Sequence, residues 1–115
     1  MENQRHYDRP FQVWAYTVSH GQLLLRSPKN QASATRVDIL FKDTSAMLLP
    51  ALFESLTISR VQPQDIGLDR SACDLSDMAV YRLQGPNFDG YVVAGAFVVH
   101  EDDKDYDEPS AIYPS

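Results

Sequence analysis

His20 is the side chain best suited to chemistry. It stands between Ser19 and Gly21, in a short polar connection between two β-prone runs. A side chain at such a turn tends to be exposed, and an imidazole there can act as a base or a metal ligand. No Asp or Ser stands at a spacing that would complete a nucleophilic triad. Histidine also tolerates unusual backbone angles, so a turn residue is the plainer reading. Trp14 and Tyr16 precede it, and Arg36 and Asp38 lie on a later β-prone run. Two neighbouring strands would bring these five together at the mouth of a curved sheet, where a small molecule binds. Trp14 and Tyr16 also suit base stacking, but core packing is the simpler use of both rings.

Asp103, Asp105 and Asp107 have the spacing of the first ligands of a calcium loop. The match stops there. Glu108 stands where the loop needs glycine, and Pro114 stands where the closing glutamate belongs. A solvated acidic tail that contacts a basic partner is the better reading. His6 and His100 lie near the ends of the expected domain, and three scattered histidines without cysteine partners do not make a zinc site. Cys73 is the single cysteine, and the adjacent Asp74 disfavours a reactive thiolate. The chain lacks GxGxxG, the phosphate loop ending in Lys-Ser/Thr, GxSxG, HExxH and CxxC. No cofactor, metal or catalytic residue is assigned on this basis.

The composition narrows the classes further. At 115 residues, the chain suits one domain. It can bury roughly two-thirds of its unfolded surface without metal or disulfide staples. The net charge is −6, and residues 101–108, EDDKDYDE, carry −5 of it. The nearly neutral remainder argues against nucleic-acid binding, which needs a basic surface. A weak positive bias runs from Leu23 to Lys42, where Arg26, Lys29, Arg36 and Lys42 outweigh Asp38. No apolar run approaches the roughly 18 residues of a membrane helix. The polar first ten residues do not resemble a secretion signal. A soluble cytoplasmic protein is expected.

Glycine and proline punctuate the elements that must position these side chains. Tyr91–Val99, YVVAGAFVV, is apolar in both alternating sets. That pattern predicts a central strand covered on both faces. Gly95 within it marks a close approach, and Trp14 is the expected neighbour. Phe11–Val18 reads as a strand, with Trp14, Tyr16 and Val18 on one side and Phe11, Val13 and Ala15 on the other. It turns at 19–21 into Gln22–Arg26, a hairpin. Thr35–Lys42 alternates, predicting one buried and one wetted face. Residues 44–56 suggest a short helix starting near Pro50. Leu56–Val61 and Met78–Gln84 are further strands. The polar connection 62–77 suggests a helical turn near Asp69–Leu75.

The fold expected is mainly β, with about six antiparallel strands in a curved sheet or small barrel-like sandwich and one short helix. The alternative is α+β, with one helix packed on an antiparallel sheet. Residues 1–10 read as a polar N-terminal segment, 11–100 as the domain, and 101–115 as an acidic, proline-containing, mobile tail in which Ile112 and Tyr113 have the means to dock. The functional expectation is a non-catalytic interaction protein that pairs with itself or with another protein, for instance a basic one or the target of an immunity-type inhibitor. The alternative is a small-molecule binder or enzyme built on Trp14, Tyr16, His20, Arg36 and Asp38.

Overall fold

The computed structural model describes residues 4–67 and 78–114. Cys73 and the helical turn expected near Asp69–Leu75 lie outside them. Ten strands follow in order: β1 (Gln4–Tyr7), β2 (Phe11–Thr17), β3 (Gln22–Ser27), β4 (Arg36–Lys42), β5 (Ala46–Leu48), β6 (Leu52–Phe53), β7 (Leu56–Val61), β8 (Ala79–Gly85), β9 (Phe88–Ala94) and β10 (Ala96–Asp102). They form two antiparallel five-stranded sheets, β1-β7-β8-β9-β5 and β10-β4-β3-β2-β6. The mainly β, sandwich-type expectation holds. Five of the six strands expected from the sequence are present, the sixth, Tyr91–Val99, is divided between β9 and β10, and β1, β5 and β6 are additional.

The inner faces meet in one apolar core. Leu23, Leu25, Ile39 and Phe41 of the second sheet pack with Leu56, Ile58, Tyr81, Leu83 and Val92 of the first. Burying each large apolar side chain contributes about 1.5–3 kcal/mol. Ring contacts cross the core, Phe41 to Tyr81 at 5.7 Å and Phe53 to Phe88 at 4.8 Å. At one side of the sandwich, the Arg5 guanidinium lies 5.6 Å from the Phe97 ring centroid. No helix among the described residues is long and apolar enough to cross a membrane.

The YVVAGAFVV stretch is not one central strand. It breaks at Gly95: β9 belongs to the first sheet, and β10 is an edge of the second. Both alternating sets are apolar because the chain changes sheet and turns different residues inward on each side of the break. Nor does Gly95 meet Trp14. A Cβ there would stand 3.2 Å from an Asp43 carboxylate oxygen and 3.5 Å from the Lys42 carbonyl. The backbone N–H of Gly95 donates to that carbonyl at 2.9 Å, which seats the corner on the end of β4.

The helix expected near Pro50 is absent. β5 pairs with β9 and β6 pairs with β2, so residues 46–53 cross from one sheet to the other, with Pro50 in the link. Proline removes a helical donor but costs nothing in a link without a ladder bond. The helical turns among the described residues are two short 3-10 segments, Ser19–Gly21 and Pro63–Ile66. The second opens the 62–77 connection. There the Asp65 carboxylate accepts from the Gln62 N–H at 2.9 Å.

Candidate functional site

Register decides which side chains share a face of the second sheet. Gln12 lies opposite Arg26, Arg26 opposite Asp38, and Asp38 opposite His100. Directly opposed residues in an antiparallel ladder point the same way. A polar row therefore crosses four strands on the outer face. Arg36 and Asp102 form the next pair on that face. Leu24 and Leu40 share the face, opposite each other two residues further along.

A register shift in β2 between Val13 and Ala15 changes the parity of that strand. Beyond it, Tyr16 lies opposite Leu23, on the core side, while Ala15 lies opposite Leu24, on the outer side. Trp14 stands in the bulge and covers Arg26, whose guanidinium carbon is 4.7 Å from the ring centroid. Trp14 and Tyr16 thus face opposite ways, contrary to plain alternation. One inserted residue reverses every following side chain.

The outer face of β4 does not meet water. Arg26, Arg36 and Asp38 are at most 1% exposed. Their cover is the acidic segment, which was expected to be mobile. After Asp102 it turns back across the sheet and reaches the two arginines with its carbonyl groups. Arg26 holds the Asp38 carboxylate in a fork, Nε at 2.8 Å and Nη2 at 3.1 Å. Its Nη1 donates to the Tyr106 carbonyl at 2.6 Å and the Glu108 carbonyl at 3.3 Å. Arg36 Nη1 donates to the carbonyls of Asp105 and Glu108, at 2.8 and 2.7 Å. Its Nη2 reaches Asp102 Oδ2 and the Pro109 carbonyl, both at 3.2 Å. Arg36 Nε is buried and has no hydrogen-bond partner among the described residues.

The segment is closed into a turn. Glu108 N–H donates to the Asp105 carbonyl, and Asp105 N–H donates to the Glu108 carboxylate at 2.8 Å. Tyr106 meets Trp14 edge-on at 6.2 Å, and the Tyr113 hydroxyl bonds the Thr17 hydroxyl. Lys29 donates to the Asp103 carbonyl at 2.7 Å and pairs with the Asp105 carboxylate at 3.2 Å. Burial pushes the Asp102 carboxyl up, but the Lys104 N–H and the Arg36 guanidinium outweigh it. The group sits below the ordinary carboxylate value.

The candidates fall into separate places. Trp14, Arg36 and Asp38 lie on the arginine face. Tyr16 points to the other side of β2. His20 adopts φ 64° in the 3-10 turn before β3 and lines a cleft of about 260 Å³ with Gln22, Lys42 and Asp43. Gln22 and Arg26 are four residues apart on a strand, about 13 Å, so His20 is not part of the arginine cluster. Asp103, Asp105 and Asp107 are exposed on the covering segment. Among the described residues, no three His, Cys, Asp or Glu side chains converge on a metal position.

Arg26, which anchors the face, enters the sequence reading only through the positive bias of residues 23–42 and not as a site residue. Its signal was the run LLLR in β3, where a charge follows three residues buried on both faces. No known protein family, curated protein or solved structure matches this chain.

Proposed function

We propose that this is a non-catalytic interaction protein of the cytoplasm that pairs with a second copy of itself through the free edge of β10. The observation that carries this reading is the edge itself. Among the described residues, no strand lies beyond β10, although all seven of its residues pair with β4 on the other side. An unpaired edge presents backbone donors and acceptors that another strand can take up. The other edges suit this less well. β5 and β6 have three and two residues, and β1 is the polar QRHY. The first four residues of β10, Ala96–Val99, carry no charge, and Val98 is 38% exposed on the outer side.

Two copies joined antiparallel about a two-fold axis would continue the second sheet across both protomers. Strand addition by a different protein partner uses the same edge and is the neighbouring form of this reading. The single cysteine and the near-neutral body favour a cytoplasmic protein that contacts protein rather than nucleic acid or membrane. The small-molecule reading has less support, since Arg36 and Asp38 are already filled by partners from within the chain.

Sedimentation of the full chain tests the pairing between about 10 μM and 1 mM, a span suited to an interface of modest area. The expected result is a dimer that Val98→Lys converts to a folded monomer. A wild-type chain that stays monomeric throughout, and captures no strand-forming partner, overturns the proposal.

A further inference from the structure

The contacts between the acidic segment and the arginine face have an unusual character. Both guanidinium groups read the segment through carbonyl oxygens, those of Asp105, Tyr106, Glu108 and Pro109. The acidic side chains contribute little to that reading, and residues 103–109 are all exposed. Tyr106, the main side-chain contact with the face, remains 58% exposed. The segment therefore buries little apolar surface and is held mainly by charge-assisted hydrogen bonds, which a competing peptide backbone can replace one for one.

The face beneath is the opposite. Arg26 is locked by the Asp38 fork and the Trp14 ring, and both arginines are set in the sheet. One buried donor, Arg36 Nε, has no hydrogen-bond partner among the described residues. A buried donor that its resident does not satisfy marks a place where another acceptor fits better.

We propose that the Arg26–Arg36 face is a peptide-binding groove and that residues 103–109 are its resident, displaceable ligand. The groove takes an acidic segment folded into the same turn and carrying a tyrosine, offered by a partner protein. The carbonyl contacts fix the path of the backbone, and the side-chain contacts fix which residue stands where along it. Trp14 supplies the aromatic wall that selects a tyrosine, as it now meets Tyr106. Lys29, which now pairs with Asp105, supplies the preference for acids. A carboxylate that reaches Arg36 Nε adds a charge-assisted bond that the resident lacks. Apart from Asp102, whose carboxylate holds Arg36, β10 takes no part in this site, so the site stands or falls separately from self-pairing through the β10 edge.

The resident ligand is tethered and competes at high effective concentration, so the full wild-type chain binds an added peptide weakly. The test uses fluorescence anisotropy with a labelled peptide of sequence EDDKDYDEPSAIYP. The full chain is compared with its Tyr106→Ala and Tyr113→Phe variants, each of which loosens the resident. The expected result is a rise in apparent affinity of roughly tenfold in Tyr106→Ala, because the open fraction grows. A peptide of the same composition in scrambled order, or with its first tyrosine replaced by alanine, binds at least about tenfold more weakly. Hydrogen exchange at residues 104–112 reports that the resident has been loosened. If those amides exchange faster in the variant while the peptide still fails to bind at about 1 mM, the groove is refuted. Equal binding of the scrambled peptide refutes it too, since charge alone would then explain the attraction. Tyr113→Phe removes one hydroxyl and serves in the same assay if Tyr106→Ala does not fold.

Discussion

Replacing Asp38 with alanine removes the counter-ion of a guanidinium that is 1% exposed. The pair is bidentate, at 2.8 and 3.1 Å, and both side chains are out of water. Truncating one member of a buried pair strands the other charge, at a cost of about 3–5 kcal/mol. The remaining partners of Arg26 are two carbonyls and the Trp14 ring, which are dipolar and cannot neutralise it. For a chain of this length, 1 kcal/mol moves Tm by about 3–5 °C. A Tm lower by roughly 10 °C or more is expected, read by circular dichroism and checked by the urea midpoint. Asp38→Asn keeps the shape and one acceptor, so it should fall between the two. Arg26→Met with Asp38→Leu removes both charges and should recover much of the core stability, since a packed apolar pair replaces an ion pair at little cost. Its acidic segment should nonetheless exchange faster, because the Tyr106 and Glu108 carbonyls lose a donor. The control is Asp89→Ala. Asp89 forms the same kind of fork with Arg82, but both side chains face water, so Tm should not change measurably. If Asp38→Ala behaves like Asp89→Ala, Arg26 is hydrated and the closed arginine face is wrong.

Gly21→Ala should destabilise the chain by about 1–3 kcal/mol, read from the urea midpoint. Gly21 has φ +53°, and a Cβ there would stand 2.7 Å from the backbone N and O of Thr44. An unchanged midpoint would mean that the 19–21 turn does not lie against residue 44. Acid should release the covering segment. Asp102 is held below the ordinary carboxylate value, so its contribution is present above the unfolded value, near about 4, and is lost as pH falls through the folded one. Trp14 emission, sensitive to Tyr106, should change in that window in the wild type and should already be changed at neutral pH in Asp102→Asn. A pH-independent Trp14 signal would count against Asp102 as an anchor of the segment.

Much of the chain can be read before folding. Strands 11–17, 22–27, 36–42, 56–61 and 79–85 follow from alternation between glycine and proline breaks, since side-chain period and turn chemistry are local properties. Tyr91–Val99 resists the same reading. An apolar run looks alike whether one strand is covered twice or two strands each turn one face inward, and the small Ala-Gly-Ala centre permits a corner as readily as a close contact. Pro50 reads as the first position of a short helix, whereas it lies in a link between two short strands that take their character from β9 and β2, which are remote in sequence.

What the amino-acid order determined alone was the class of fold, the location of most strands, the concentration of acid near the end, and the lack of familiar catalytic motifs. Tertiary structure decided the rest. The β2 bulge sends Trp14 and Tyr16 to opposite faces, and no residue type announces it, because parity depends on the pairing partner. The acidic segment docks through backbone carbonyls, which every residue possesses, so its side chains gave no sign of the bond. Arg26 and Arg36 became buried only when that segment crossed the sheet, and burial is a property of the assembled chain rather than of any stretch within it.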